Sequence, residues 1–233
     1  MSYSHQVPTA PVAQHSGDVR TQFMRRVYIH LLAAIGAFIA GQYVLFTTGW
    51  AETIALFVRD TSWLLILGGF MIVSWMASSL AVRMTTPAGQ YGAFGLLIAA
   101  NVLLFATPLY IAAVTPELEG AITQAAQLSV FAFAGLSIIA IRTSRDFSFL
   151  RSLLMWGGVL ALGLIIAATL FGTGLGTWFS VAMIGFAGAA ILYDTQKIYH
   201  EYPPHAVVPA AMNLFASIAL LFWYILRLVM GRR

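Results

Sequence analysis

The sequence predicts an all-α, polytopic membrane protein with seven transmembrane helices. Of its 233 residues, 60% are hydrophobic and only 9% are charged, whereas a soluble domain carries about 25% charged residues. So little charge cannot cover a surface that faces water. The chain also contains seven apolar runs close to the ~20 residues that cross the hydrocarbon core of a bilayer as a helix. These runs lie at about 27–47, 62–83, 92–114, 121–142, 148–171, 175–196 and 207–229.

The first element is a polar tail. Residues 1–23 are predicted to be flexible, and residues 24–233 are predicted to form the transmembrane domain. The tail contains two prolines and no apolar block, so it is not a secretory signal peptide. The apolar run that follows Arg25 and Arg26 has no small-residue cleavage site, so we expect it to remain as the first membrane helix.

The connections between the runs are short and contain turn or charged residues. In order, they are "TGWAE" with Arg59 and Asp60, "RMTTPAGQ", "TPELEG", "RTSRDFS", "GTGLG" and "HEYPPH". No internal repeat is evident, so a transporter built from inverted repeats has no support. The "GTGLG" segment has neither the spacing nor the preceding strand of a dinucleotide loop.

The positive charges predict the topology. With the N-terminus in the cytoplasm, the inner segments contain eight cations, and the outer loops contain only Arg59. The inner cations are Arg20, Arg25, Arg26, Arg83, Arg142, Arg145, Arg151 and Lys197. Arg232 and Arg233 do not follow this rule, because an odd number of helices places them outside; either the C-terminus is external or the last segment is re-entrant. The net charge of +4 therefore reflects topology and not nucleic-acid binding.

The sequence offers no enzyme chemistry. The absence of cysteine excludes disulfides and thiolate metal sites. No two carboxylates have catalytic spacing, and no histidine and glutamate have the spacing of a metalloprotease. We therefore expect a protein that is not an enzyme and has no bound cofactor.

Asp194 is the strongest candidate for a functional residue, because an uncompensated charge inside a membrane costs at least a few kcal/mol. It ends the apolar stretch "AAILYDTQK" and shares a helix face with Ala190, Ala187 and Met183. Small residues let another helix approach, so Asp194 is expected to face the bundle interior. Burial favours a protonated carboxyl group, which makes this position sensitive to pH. The ionised form would attract cations, and the neutral form could hydrogen-bond a neighbour and hold a pore shut. The alternative is that Asp194 caps the loop or pairs with Lys197.

The last span supplies candidate partners for Asp194. Asn213 and Ser217 are four residues apart, hence on one helix face, and both can donate hydrogen bonds to a carboxylate. Plain packing between helices is the alternative role. Arg227 is expected to reach the outer interface, where Trp223 and Tyr224 suit an aromatic belt. His30, just beyond Arg26, is expected to be a hydrated residue of the inner interface, with a proton relay as the alternative.

The motif "ILYDTQKI" resembles the signature of the Bax inhibitor-1 family, also called the transmembrane BAX inhibitor motif family. "RDFSFL" at 145–150 and the ending "YILRLVMGRR" add to the resemblance, which extends from about residue 24 to 233. It implies a bundle in which six helices surround the last one, and a pH-dependent calcium leak. It also implies a pH sensor made of two aspartates that share a proton.

Asp194 matches the first aspartate of that pair, and Ser217 stands where the second is expected. Asn213 stands where some animal members have a further acidic residue, and Arg83 is the only candidate for an arginine that locks the pair. Without a second carboxylate the repulsion within the pair is lost, and so is half of the charge available to Ca²⁺. Asp194 is the expected cation ligand, with calcium or another cation as the permeant ion.

A bacterial branch of the family, similar to the modulator of the FtsH membrane protease, also has serine at the Ser217 position and a loop like "TTPAG". This similarity implies a protein of the bacterial inner membrane, and it gives a second hypothesis for function. In the first hypothesis the protein is a pH-modulated cation leak channel. In the second it is a non-enzymatic partner that restrains a membrane protease through its tail and spans, in membrane quality control or stress survival.

Overall fold

The computed structural model describes residues 10–84, 86–143 and 147–232. Helices account for the regular structure in those ranges, and seven of them are long and apolar enough to cross a membrane. The seven are α1 (Gly17–Thr47), α3 (Trp63–Arg83), α4 (Pro87–Val114), α5 (Ala121–Arg142), α6 (Phe149–Leu170), α7 (Gly176–His200) and α8 (Val207–Met230), and the eighth helix is the short α2 (Trp50–Arg59). Single 3₁₀ turns occur at Val12–Gln14 and Pro116–Leu118. The predicted all-α, seven-span fold is confirmed.

The short helix α2 was not predicted from the sequence, which suggested only a connection there. It follows Gly49, whose φ of +80° is a left-handed conformation that favours glycine. Ala51 is buried against the neighbouring helices α1 and α4, while Trp50 and Phe57 are exposed. Ten residues are too few to cross a bilayer, and the exposed aromatic side chains suit a helix that lies in the membrane interface.

Helix α8 forms the centre of the bundle. Over its most apolar stretch 56% of its residues are buried, against at most 33% in any other spanning helix. It packs against α1, α3, α4, α5 and α7, whereas α6 lies at the periphery, mainly against α7. Ala210 and Ala211 are fully buried and let neighbouring backbones come close. Helix α8 is one continuous helix from Val207 to Met230 and is long and apolar enough to cross a membrane.

Aromatic rings join α8 to its neighbours. The Phe105 ring lies 5.5 Å from that of Phe222 and 5.1 Å from that of Trp223, and Trp223 also stacks on Trp63 at 5.8 Å. Aromatic pairs of this kind contribute about 0.5–1.5 kcal/mol beyond the area that they bury. Tyr224 is buried as well. The expected role of Trp223 and Tyr224 in an aromatic belt is therefore wrong, since both rings pack inside the bundle.

Three parts of the chain meet at one end of the molecule, which we call the N-terminal end. The Val12 amide donates a hydrogen bond to the carbonyl of Tyr202 (2.8 Å), and Val12 is fully buried. The Phe147 amide, which precedes α6, donates to Gln196 Oε1 of α7 (2.7 Å). The segment before α1, the start of α6 and the end of α7 thus lie together. The first nine residues of the predicted tail, and Arg145 of the "RDFSFL" motif, lie outside the described residues.

Candidate functional site

Asp194 lies on α7 and faces the central helix α8. Ser217 Oγ of α8 donates a hydrogen bond to Asp194 Oδ2 over 2.5 Å. Ser217 is only 7% exposed, and Asp194 is half-buried. On the same side of α7, Ala187 and Met183 are buried. The carboxyl group therefore joins the last two helices of the bundle.

Small residues allow the close packing of α7 that positions Asp194. A Cβ atom added at Gly188 would lie 3.3 Å from Cδ1 of Leu136, so α5 lies close against this part of α7. Thr195, next to Asp194 in the chain, is fully buried. The helix is thus packed on two sides, against α8 and against α5.

Asn213 does not bind Asp194. Its Nδ2 donates to the hydroxyl of Tyr202 (2.7 Å), which lies in the connection between α7 and α8. Burial raises the pKa of Tyr202 to about 12, and the negative charges of Asp194 and Glu201 add to the effect. The expectation that Asn213 and Ser217 both donate to the carboxylate is half wrong. Tyr202 lies in the connection between the last two helices, so helix periodicity does not predict its position. Its hydroxyl accepts the hydrogen bond that Asn213 was expected to donate to Asp194.

The alternative in which Asp194 pairs with Lys197 is also wrong. These two residues form no ion pair, and the Lys197 ammonium lies 5.7 Å from the centre of the Tyr193 ring instead. That geometry is a cation–π contact. Lys197 therefore acts on the carboxylate only as a more distant charge.

A second polar group lies beside this contact and was not identified from the sequence. The hydroxyl of Tyr28 on α1 neighbours those of Ser137 on α5 and Thr195 on α7. All three oxygen atoms are buried. A buried hydroxyl costs free energy unless another polar group is close enough to form a hydrogen bond, and these three lie beside one another. The sequence does not predict this cluster, because each of the three residues is a single polar side chain in a different apolar helix.

His30 joins α1 to α4. Its Nδ1 lies 2.7 Å from the carbonyl of Arg26, and its Nε2 lies 2.7 Å from the hydroxyl of Tyr91, whose ring stacks on the imidazole. A carbonyl only accepts, so Nδ1 carries a proton, and in the neutral ring Nε2 accepts from Tyr91. These contacts give His30 a role in joining α1 to α4.

The two candidate arginines lie away from Asp194. Arg83 is exposed in the last turn of α3, and Arg227 is exposed in the last turn of α8. Neither makes an ion pair with the carboxylate. In the part of the chain that the structure describes, neither an arginine nor a second aspartate pairs with Asp194.

A crevice of about 420 Å³ opens at the other end of the bundle, between α3, α4, α6 and α8. It runs from Trp63 and Arg227 to Asn101 and Ala216, and Ala216 immediately precedes Ser217. Ser74 Oγ in its wall is buried and has no partner among the described residues. The crevice approaches the Asp194–Ser217 contact from the side opposite to the N-terminal end.

The donor set around Asp194 suits brief contact with a cation. Calcium takes six to eight oxygen ligands, usually with several carboxylates. Within the described ranges, no three residues among His, Cys, Asp and Glu are grouped so that they could hold a metal ion. Asp194 supplies one carboxylate and Ser217 one hydroxyl. Two oxygen donors are fewer than the six to eight that a resident calcium ion takes.

Comparison with known proteins identifies the family. Residues 20–233 match the family described as "Inhibitor of apoptosis-promoting Bax1". The chain belongs to the Bax inhibitor-1 family. It is 28% identical over 217 residues to an uncharacterized protein of Campylobacter jejuni, a match that covers 84% of this chain and 85% of the relative. It is also 31% identical over 114 residues to an uncharacterized protein of Pseudomonas aeruginosa, which covers 48% of this chain and 51% of that protein. The chain thus spans about half the length of this second relative.

Proposed function

We propose that the protein is a pH-modulated cation leak channel, with calcium as the expected ion, in which the Asp194–Ser217 hydrogen bond holds the closed state. This bond carries the proposal because it joins α7 to the central helix α8. Membership of the Bax inhibitor-1 family and the crevice that ends beside Ser217 support it. No chemical step is involved.

Opening requires α8 to move relative to α7. A hydrogen bond from a hydroxyl to an ionised carboxylate is about twice as strong as one between neutral groups. Protonation of Asp194 weakens the bond, so the leak increases as the pH falls. This sign differs from the sequence-based expectation that the neutral form holds a pore shut. The difference arises because the Ser217 hydroxyl donates more strongly to an ionised carboxylate than to a neutral carboxyl group, whereas two aspartates need a shared proton.

The site also gives the cation one favourable contact. When α7 and α8 separate, Asp194 loses the Ser217 hydroxyl and presents its carboxylate to the space between the helices. A single negative charge attracts cations without binding them tightly. Weak binding is what a leak pathway needs, since the ion must also leave.

Calcium flux into liposomes at equal pH on both sides tests the proposal. For the native protein, flux at a pH of about 3 should exceed that at about 8, because an ordinary aspartate side chain, with a pKa of about 3.9, titrates between these two values. Asp194→Asn should give high flux that no longer depends on pH, because the amide makes only the weaker, neutral bond. Ser129→Ala is the control, since Ser129 is buried but bonds only to Ala125 of its own helix. A native pH profile in the Asp194→Asn variant would refute the proposal.

The alternative function is modulation of a membrane protease by the N-terminal tail. The observation that favours it is the anchor at Val12, which fixes the start of the described chain beside the α7–α8 connection. Residues 1–9 precede this anchor in the sequence, and in this proposal they are the segment that a cytoplasmic partner binds. Removal of residues 2–9 leaves the Val12 anchor intact. It should speed the degradation of membrane substrates in cells, and unchanged degradation would exclude this function.

A further inference from the structure

A second cavity, of about 480 Å³, lies at the N-terminal end between α1, α5 and α7. Its wall is formed largely by α1, and its polar side chains are Arg20, Thr21, Arg25, Tyr28 and Tyr199. It is separate from the crevice at the other end, and the Asp194–Ser217 contact does not line it. The leak proposal does not use it.

Among the described residues, no acidic side chain pairs with the positive charge in the wall of this cavity. The Arg20 guanidinium donates to the hydroxyl of Tyr199 (3.1 Å) and to the carbonyl of Ala13 (3.4 Å), and it lies 5.2 Å from the centre of the Tyr199 ring. All of these partners are neutral. The Nε atom of Arg20 is buried and has no acceptor among the described residues. Arginine in such a site is suited to bind a phosphate through two parallel hydrogen bonds.

Nearby groups are also donors. Arg25 adds a second positive charge, and Tyr28 also lines the wall. Gly17, in the wall, is the first residue of α1, and the side chain of Ser16 does not cap the helix. Within the described ranges, the first backbone N–H groups of α1 are therefore free at this end of the helix, which is also the positive end of the helix dipole. Asp18 lies in the same turn but is not part of the cavity wall and does not pair with Arg20.

The cavity lies at the level of lipid headgroups. Helix α1 has 31 residues, a length of about 46 Å at a rise of 1.5 Å per residue. The hydrocarbon core is only ~30 Å thick, so about ten residues extend beyond it. Since α1 ends at Thr47 beside the interfacial helix α2, the extension is the segment from Gly17 to about Arg26.

We propose that this cavity binds the phosphate group of an anionic phospholipid of the leaflet at the N-terminal end, through Arg20 and Arg25. The acyl chains then lie along the outer surface of α1. A basic pocket between helices at this depth is a known way to hold a lipid headgroup. The lipid fixes α1 to α7 through Arg20 and Tyr199.

Thermal unfolding in a neutral detergent tests the proposal with soluble short-chain lipids. The probes are dihexanoyl phosphatidylglycerol, dihexanoyl phosphatidylcholine and inorganic phosphate, each titrated against the melting temperature. Phosphatidylglycerol should raise the melting temperature of the native protein in a saturable way, and phosphatidylcholine should not. Arg20→Gln and Arg25→Gln should each raise the half-saturating concentration about tenfold, because each removes a charge-assisted hydrogen bond.

Arg26→Gln is the matched control. Arg26 is the next residue of α1, is exposed, and is not part of the cavity wall. Its loss removes one charge from the same end of the molecule and should leave half-saturation unchanged. Arg25→Gln keeps the test decisive if Arg20→Gln does not fold, because no described contact of the bundle depends on the Arg25 side chain. Equal effects of Arg25→Gln and Arg26→Gln, or equal stabilisation by the two lipids, would overturn the proposal. So would a response to inorganic phosphate alone, which would identify a soluble anion as the ligand.

Discussion

Ser217→Ala tests most directly whether the contact between α7 and α8 holds the channel closed. The substitution removes only the Oγ atom that donates to Asp194 over 2.5 Å. A hydrogen bond to a charged group contributes about 1.5–3 kcal/mol. Because Asp194 is half-buried and keeps some contact with solvent, we take the lower value of ~1.5 kcal/mol. If the closed state predominates, that loss increases the open fraction about tenfold.

The assay is the initial rate of calcium entry into liposomes at a pH of about 8, where an ordinary carboxyl group is ionised. Ser217→Ala should raise this rate about tenfold at equal protein content, and Ser129→Ala should leave it unchanged. In the Asp194→Asn background the serine substitution should add much less, because the charge-assisted part of the bond is already gone. A native rate in a folded Ser217→Ala protein, or an equal rise in Ser129→Ala, would refute the reasoning.

Three further predictions concern stability, and thermal unfolding in detergent measures each. Tyr202→Phe should cost about 1 kcal/mol, because Asn213 loses its acceptor. The raised pKa of Tyr202 means that the folded protein holds this proton more tightly than the unfolded chain, so stability should fall as the pH rises from about 10 to about 12. That fall should be shallower in Tyr202→Phe, and an identical slope would count against the assignment. Gly41→Ala should cost about 1–3 kcal/mol, because its Cβ would lie 2.8 Å from Cγ2 of Val102 on α4. Gly188→Ala should cost less stability, because the added Cβ meets only the flexible end of the Leu136 side chain, at 3.3 Å. A larger loss for Gly188→Ala than for Gly41→Ala would contradict the packing described between these helices.

The spanning helices could be predicted from the sequence because a helix in a bilayer must satisfy all of its backbone polar groups within one long apolar segment. Helix α2 could not, since ten amphipathic residues are shorter than any span and begin at a glycine that reads as a turn. The inward direction of Trp223 was also missed, because its partner Trp63 is 160 residues away in the chain. Hydropathy indicates how deep a residue lies in the membrane. It does not indicate whether the side chain faces lipid or a neighbouring helix.

The candidate site was partly accessible to the same reasoning. Small residues on one face of α7 indicated that Asp194 faces another helix, and helix periodicity placed Asn213 and Ser217 on one face of α8. Whether both residues reach the carboxylate depends on the path of the connecting segment. Its irregular backbone brings Tyr202 to Asn213, and no periodic pattern encodes that contact. The three hydroxyls around Tyr28 come from α1, α5 and α7, so only the folded bundle brings them together.

The central position of α8 has a consequence for the order in which the protein is made. Helix α8 leaves the ribosome after the seven other described helices, yet it fills the axis around which five other spanning helices pack. Until α8 inserts into the membrane, the earlier helices lack the central helix against which they pack, and Asp194 lacks its hydrogen-bond donor Ser217. The bundle can therefore assemble only after α8 has been made, and a chain that stops before Val207 should be a substrate for membrane quality control.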